Sequence, residues 1–319
     1  MKVLFVARCD YSMLTECMAN AFAQLGHDVS VFDLKKYRWC DKHITTTFSA
    51  GRLAACLRRS KPAMIFVVAP MFLPLATIAV MGDYRRRQGG VLAGWIGDVF
   101  THNEESAAKI SPFDRLYVSD TYLLSHMALD QGAYLPLATD PALIARAPGA
   151  RTSDCLFIAS RTDNRSRFLG EINRPVKVFG PGWRAQARTP SMHQYYPHAL
   201  PLRRVFELYE RSAMVLNLKN EAHVVNGLNQ RSFDPCLAGA VLLHDYIADL
   251  ELHFDPGREI IVFRDAAEFE VAYDRVLGDA SFARRVAEAG QRRVRACHTF
   301  QHRAQHVLQD LHIKGEGPR

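Results

Sequence analysis

The sequence predicts an α/β chain made of two wound halves of similar size, and three observations carry that expectation. Short apolar runs alternate with longer stretches at helical spacing. The runs are apolar throughout, as in strands buried on both faces of a parallel sheet. The alternation stops near residue 145 and restarts near residue 154. Strands alternating with helices give parallel sheets covered on both sides.

In the first half, residues 2–7 form a strand. Residues 12–25 form an amphipathic helix closed by Gly26, and residues 29–32 a second strand. Residues 52–59 read as a helix, and Pro62 precedes a third strand at 64–68. Runs at 91–96 and 116–118 continue the series; a helical segment at 121–131 leads to another run at 134–137. Residues 145–153 (ARAPGARTS) lack apolar periodicity and read as a linker. In the second half, strands are expected at 155–159, 176–179, 214–218, 241–243 and 260–263. Helices are expected at 202–211 and 230–238, and residues 266–311 are largely helical. The domains are accordingly expected at 1–145 and 154–298.

Composition excludes several classes. Of 319 residues, 48% are hydrophobic and 23% charged, the mix of a globular chain and not of a disordered, collagen-like or coiled-coil one. The net charge of +7 suits anionic small molecules, membrane surfaces or nucleic acid equally. The seven cysteines are scattered and form no C-x-x-C pair, which argues for reduced thiols, a cytoplasmic location and no zinc site. Arg8 and Asp10 end the first apolar run too early for a signal peptide. Residues 63–82 carry no charge, but Pro70 and Pro74 interrupt them, which argues against a bilayer span. Arg85, Arg86 and Arg87 follow, either as a contact for anionic lipid at the inner face of a membrane or as a solvated helix end.

No glycine follows the first strand, so the NAD-type turn is missing; P-loop and G-x-S-x-G motifs are missing too. Ligands of open parallel sheets sit at the carboxyl ends of strands. The polar residues expected there are Arg8, Asp10 and Asp98 in the first half. In the second half they are Ser160, Arg161, Arg165, Gly180, Trp183, Asn217 and the run from Asn226 to Asp234. Asn226 suits an N-cap, and Gly227 lets a ligand approach the backbone of a helix beginning there. Asp234 then falls two turns along that helix, placed to accept from ribose hydroxyls, with Arg231 a turn before it. The alternative is an Asn-capped helix with a salt-bridged face. Trp183 either stacks on a base or packs in the core. His298, His302 and His306 share the i, i+4, i+8 spacing, and a polar helix face is favoured over a metal site.

Several fragments resemble GT-B glycosyltransferases. They are Phe157-Ile158-Ala159-Ser160, Val178-Phe179-Gly180-Pro181-Gly182-Trp183, and Arg231-Ser232-Phe233-Asp234 followed by residues 237–243. Trp95-Ile96-Gly97-Asp98, residues 135–141, and His298-Thr299-Phe300 with Arg303 complete the series. Taken in order, they resemble the spore-maturation-protein (CgeB-like) branch. The resemblance implies two facing Rossmann-like domains with a cleft between them. It implies a nucleotide-sugar donor on the second domain and a glycan, protein or small-molecule acceptor on the first. It also implies a terminal segment, 299–319, returning to the first domain, and no metal or cofactor beyond the donor. Asp234 stands where the family usually has Glu, and Asn226 takes the earlier position of the family's Glu-x7-Glu pair, which leaves the stereochemical outcome open.

Glycosyl transfer needs a stabilised diphosphate and an oriented acceptor, and an inverting enzyme needs a general base. Arg161, Arg165 and Arg231 are the candidates for the diphosphate, with Arg184 behind them. Asp98 is the first candidate base, ahead of Asp10 and His102; its bland alternative is to cap the following helix. The rivals are a sugar-nucleotide epimerase of the same fold and a non-catalytic basic nucleotide- or nucleic-acid-binding protein. Nucleic acid is not expected as a partner, because the basic residues are dispersed without interleaved aromatics.

Overall fold

A computed structural model describes residues 1–9, 13–101, 103–127, 131–144 and 151–313. The chain divides into two compact units, Met1–Pro136 with Phe300–Arg319, and Leu137–Thr299.

Unit 1 begins with β1 (Lys2–Ala7), α1 (Leu14–Gln24) and β2 (Asp28–Asp33). A 3-10 turn (Leu34–Tyr37), α2 (Arg38–His43), α3 (Phe48–Ser60), β3 (Met64–Val68) and α4 (Leu75–Gln88) follow. Then come β4 (Val91–Ile96), α5 (Glu104–Ile110), β5 (Arg115–Val118), α6 (Thr121–Met127) and β6 (Gly132–Tyr134). The strands form one parallel sheet in the order β2-β1-β3-β4-β5-β6. The central strands are apolar on both faces because helices cover both; every residue of β3 is buried. Leu4, Val6, Ile65, Val67, Leu92 and Leu116 pack with Leu53 and Leu57 of α3 and Ile78 and Met81 of α4.

Unit 2 contains β7 (Thr152–Ile158), α7 (Asp163–Glu171), β8 (Lys177–Phe179), β9 (Gln194–Tyr196), α8 (Leu202–Arg211) and β10 (Ser212–Asn217). It continues with α9 (Asp234–Leu237), β11 (Val241–Asp245), β12 (Ile261–Phe263), α10 (Ala266–Gly278) and α11 (Ala280–Cys297). Its parallel sheet runs β12-β11-β10-β7-β8-β9. The chain winds outward from β7 to β9, then returns to the other side of β7 with β10. That reversal creates a switch point between β7 and β10, where the fold leaves a crevice at the carboxyl edge. In α11, Phe282, Val286, Gly290 and Val294 make the buried stripe. A Cβ on Gly290 would meet the Glu259 carbonyl at 2.4 Å, so the helix can lie this close only with glycine there.

The last helix, α12 (Phe300–Asp310), belongs to unit 1 and packs on α1. Asp310 holds it, accepting from Arg115 at 2.7 and 2.8 Å and from the Tyr117 hydroxyl at 2.8 Å. Arg303 donates to the Pro136 carbonyl at 2.8 Å.

Several expectations need correction. The helix expected over 230–238 is a 3-10 turn (Gln230–Ser232) followed by the single turn of α9, and residues 226–229 are not helical. Pro235 is the reason: it lacks an N–H and its ring crowds the preceding turn, so it is tolerated only at the start of a helix. The run at 134–137 pairs only as far as Tyr134. Strand β9 and helices α2 and α7 were not expected, whereas Arg85, Arg86 and Arg87 do stand in the last turn of a helix, α4. His298 precedes α12 and is buried against Phe233, Phe254 and His253, so the three-histidine helix face does not form. Of the linker stretch, residues 145–150 lie outside the described residues, and Thr152 already belongs to β7. No described helix is long and apolar enough to cross a membrane.

Candidate functional site

The carboxyl edge of the unit 2 sheet gathers most of the expected residues, and a buried arginine lies at its switch point. Arg165, on the first turn of α7, is 2% exposed. Its guanidinium donates to the Ser160 carbonyl beyond β7 at 3.0 Å. It also donates to the Leu218 carbonyl beyond β10, at 2.9 and 3.3 Å. One side chain thus ties together the two strand ends that flank the crevice. Burial lowers its pKa to about 9, with the nearby Arg231 charge acting in the same direction and Asp245 opposing both. It stays protonated at neutral pH.

Arg231 lies on the 3-10 turn, half-buried, with Nε donating to Asn217 Oδ1 at 3.3 Å. Burial lowers its pKa, while Tyr209, Asp234 and Asp245 pull it back. Among the described residues neither Arg165 nor Arg231 makes a direct salt bridge. The edge therefore carries two partly desolvated cations whose charges are not matched by contact with a carboxylate. Burying charge in that way is costly, and an anionic ligand offsets it.

Beneath Arg231 runs a network not anticipated from the sequence. Asn217, fully buried at the end of β10, donates to His244 Nε2 at 2.9 Å and lies 3.2 Å from Ser232 Oγ and Asn229 Oδ1. His244 Nδ1 faces the Asp245 carbonyl at 2.7 Å. A carbonyl only accepts, so the ring proton sits on Nδ1 and Nε2 is the acceptor. Asp245 Oδ2 accepts from the Lys219 amide at 3.0 Å. The signal was present as two polar residues closing the apolar run 241–243.

Asp234 is 4% exposed at the first position of α9. Burial raises its pKa to about 7, with Thr139 and Arg231 opposing. Among the described residues its Oδ1 has no hydrogen-bond partner, nor does Thr139 Oγ1. Thr139 is thus near enough to act on the carboxyl without a well-formed bond.

The remaining candidates fall into two groups. Ser160 and Arg161 are exposed beyond β7, and Arg161 pairs with Asp163 at 3.0 Å. Asn226 is half-buried, its carbonyl accepting from the Asp249 amide at 3.1 Å; Gly227 beside it is buried. Trp183, by contrast, is fully buried and donates to the Ala159 carbonyl at 2.8 Å, so it packs in the core and presents no face to a ligand. Gly180 has φ +135° and a built Cβ would lie 2.3 Å from the Ala159 carbonyl; the glycine serves the close approach of two loops. Asn217, being enclosed, acts through Arg231 and His244.

In unit 1, Asp98 stands half-buried just past β4, at the carboxyl edge of its sheet. It does not cap α5: Asn103 does, accepting from the Ser106 amide at 2.9 Å. Asp10 and His102 lie outside the described residues. Ala69, just past β3, adopts φ +53°, a left-handed conformation unusual for a residue with a Cβ. Among the described residues no group of three His, Cys, Asp or Glu side chains is arranged to hold a metal ion.

Residues 161–309 match the family described as glycosyl transferase-like. No curated protein matches the chain. Among solved structures, sucrose-phosphate synthase of Thermosynechococcus elongatus superposes with a TM-score of 0.70 at 11% identity, covering 98% of each chain. HepE of Anabaena with UDP-glucose gives a TM-score of 0.68 at 9% identity, covering 98% of this chain and 99% of that one. The β-glucosyltransferase of T4 phage gives a TM-score of 0.61 at 12% identity, covering 98% of each. Over residues 161–309 the chain thus carries a glycosyl transferase-like sequence, and its two parallel six-stranded sheets have the GT-B glycosyltransferase fold.

Proposed function

We propose that the chain is a glycosyltransferase that binds a nucleoside-diphosphate sugar at the carboxyl edge of the unit 2 sheet. The observation that carries this reading is the pair Arg165 and Arg231 at the switch point, two cations without a direct ion pair among the described residues. A diphosphate supplies the missing negative charge. It becomes more negative as the glycosidic bond breaks, so fixed cations there stabilise the transition state more than the ground state.

Arg231 and the exposed Arg161 contact the phosphates in this reading, and Arg165 acts from below as a fixed charge. The amides of the first turn of α7 add donors, since its N-cap Thr162 makes no side-chain cap bond. Ser160, Asn226 and the backbone at Gly227 border the same edge. A ribose hydroxyl satisfies the orphaned Oδ1 of Asp234. The diphosphate is held by guanidinium and amide groups, with no metal required. Asp98 serves as general base toward the acceptor hydroxyl, which attacks the anomeric carbon while the nucleoside diphosphate leaves.

UDP-sugars are the first donors to test, because HepE in the comparison carries UDP-glucose. The ordered sequence motifs support reading the chain as a member of the CgeB-like branch, and its seven cysteines, none of them in a disulfide among the described residues, suit a reducing cytoplasm. The test is calorimetry with UDP, GDP, dTDP and CMP, followed by donor hydrolysis without acceptor. Binding of one diphosphate and slow release of free sugar support the proposal. Conversion of the donor to an epimer without hydrolysis indicates the epimerase. No binding at millimolar nucleotide ends the reading.

A further inference from the structure

We propose that the segment 35–44 of unit 1 docks the protein on a bilayer bearing anionic phospholipid. The segment reads Lys-Lys-Tyr-Arg-Trp-Cys-Asp-Lys-His-Ile. Its base is well anchored. Asp33 caps the 3-10 turn through the Lys35 amide at 2.9 Å, and Leu34 is buried. The Tyr37 ring stacks on Phe32 with centroids 5.3 Å apart. Asp41 Oδ1 accepts from the Ser49 amide at 2.8 Å, which fixes α2 against the start of α3.

Beyond that anchor, α2 lies largely on the surface. None of its residues is buried; Trp39 is 65% exposed and Ile44, just past the helix, 60%. A helix this short is held in globular proteins by an apolar face on the core, whereas α2 turns only Cys40 and Asp41 inward, both half-buried, and leaves its other four residues exposed. Lys35, Lys36 and Lys42 are exposed, and among the described residues no acid pairs with them. An exposed indole beside an exposed aliphatic side chain, ringed by lysines, matches the layered chemistry of a bilayer surface. The indole and the Ile44 side chain enter the headgroup boundary, and the lysines meet lipid phosphates. Nucleic acid would use the lysines and the ring but has no use for Ile44.

The arginine run after the uncharged stretch is less suited to this role. Arg85 pairs with Asp114 and Arg86 with Asp83, leaving Arg87 alone of the three without an ion pair among the described residues. Docking through this segment is independent of glycosyl transfer.

The protein carries its own reporter. Of its three tryptophans, Trp95 and Trp183 are 1% and 0% exposed, so Trp39 alone senses the solvent. Titrating the full chain with vesicles of phosphatidylglycerol and phosphatidylcholine is expected to blue-shift its emission and to carry the protein into the pellet. Pure phosphatidylcholine vesicles should do neither. Trp39→Phe should abolish the shift, and neutralising Lys35, Lys36 and Lys42 to Gln should weaken partition about fivefold per lysine. Since all these positions are exposed, circular dichroism of the variants should match the parent. No partition into anionic vesicles overturns the proposal. So does a shift that persists in Trp39→Phe, or a Trp39 response to oligonucleotide but not to vesicles.

Discussion

Replacing Asp234 by asparagine exchanges a buried carboxyl for an amide of nearly the same shape, and its effect on stability should depend on pH. In the folded protein burial raises the pKa of this group to about 7, against 3.8 for a free side chain. Between these values the folded state keeps a proton that the unfolded chain has released. The linked stability is therefore fully present below about pH 4 and is lost as pH rises through 7. From pH 5 to pH 8 the wild type should lose about 2–3 kcal/mol through this one group. Asparagine has no proton to lose. The assay is urea unfolding of both proteins at pH 5 and pH 8. Every other titrating group is common to the pair, so the difference between their pH dependences isolates Asp234. The variant should gain on the wild type by about 2–3 kcal/mol across that interval. Parallel pH profiles would refute the reasoning, because they would mean that Asp234 is already ionised beside Arg231.

Other consequences concern the loops and the tether. Gly180→Ala places a Cβ against the Ala159 carbonyl at a positive φ and should cost about 2–3 kcal/mol, read from the urea midpoint. Arg165→Ala strands the Ser160 and Leu218 carbonyls and should cost about 3 kcal/mol; a stability equal to wild type would remove its bridging role. Arg231→Ala should weaken nucleoside-diphosphate binding at least about tenfold in calorimetry while leaving the thermal midpoint nearly unchanged. Asp310→Asn breaks the pairing with Arg115, whose hydrogen bond, aided by Tyr117, holds the carboxyl below its ordinary pKa. The variant should lose about 1–2 kcal/mol near neutral pH, and the loss should vanish as pH falls below about 4.

The sequence made the sheets legible where strands are buried on both faces. The apolar runs at 64–68 and 91–96 coincide with β3 and β4, because in a parallel sheet both faces of a central strand are core. Helix α8 was equally plain, with Pro201 at its N-cap and a strongly two-sided pattern. Strand β9 was hidden because an edge strand of three residues, Gln-Tyr-Tyr, carries no apolar run. The helix expected over 230–238 is broken at Pro235, which fits only the first turn of a helix.

The site was legible in part. Arg165 and Arg231 were found from their positions after strands, but nothing local says that Arg165 is enclosed and spends its donors on two carbonyls. Trp183 was ambiguous because the same loop that would offer a ring to a ligand also folds it onto β7. His244 and Asp245 were overlooked because their partners, Asn217, Ser232 and Lys219, are distant in sequence and meet only at the sheet edge.

Hydrogen exchange of the full chain with and without saturating UDP tests the central claim most directly. Slower exchange concentrated in 160–166, 217–219 and 226–234 is the predicted result. Unchanged exchange in those three segments while UDP is demonstrably bound, or protection confined to residues 54–61 of α3 and its end and 80–88 of α4, which line a pocket of unit 1, would contradict it.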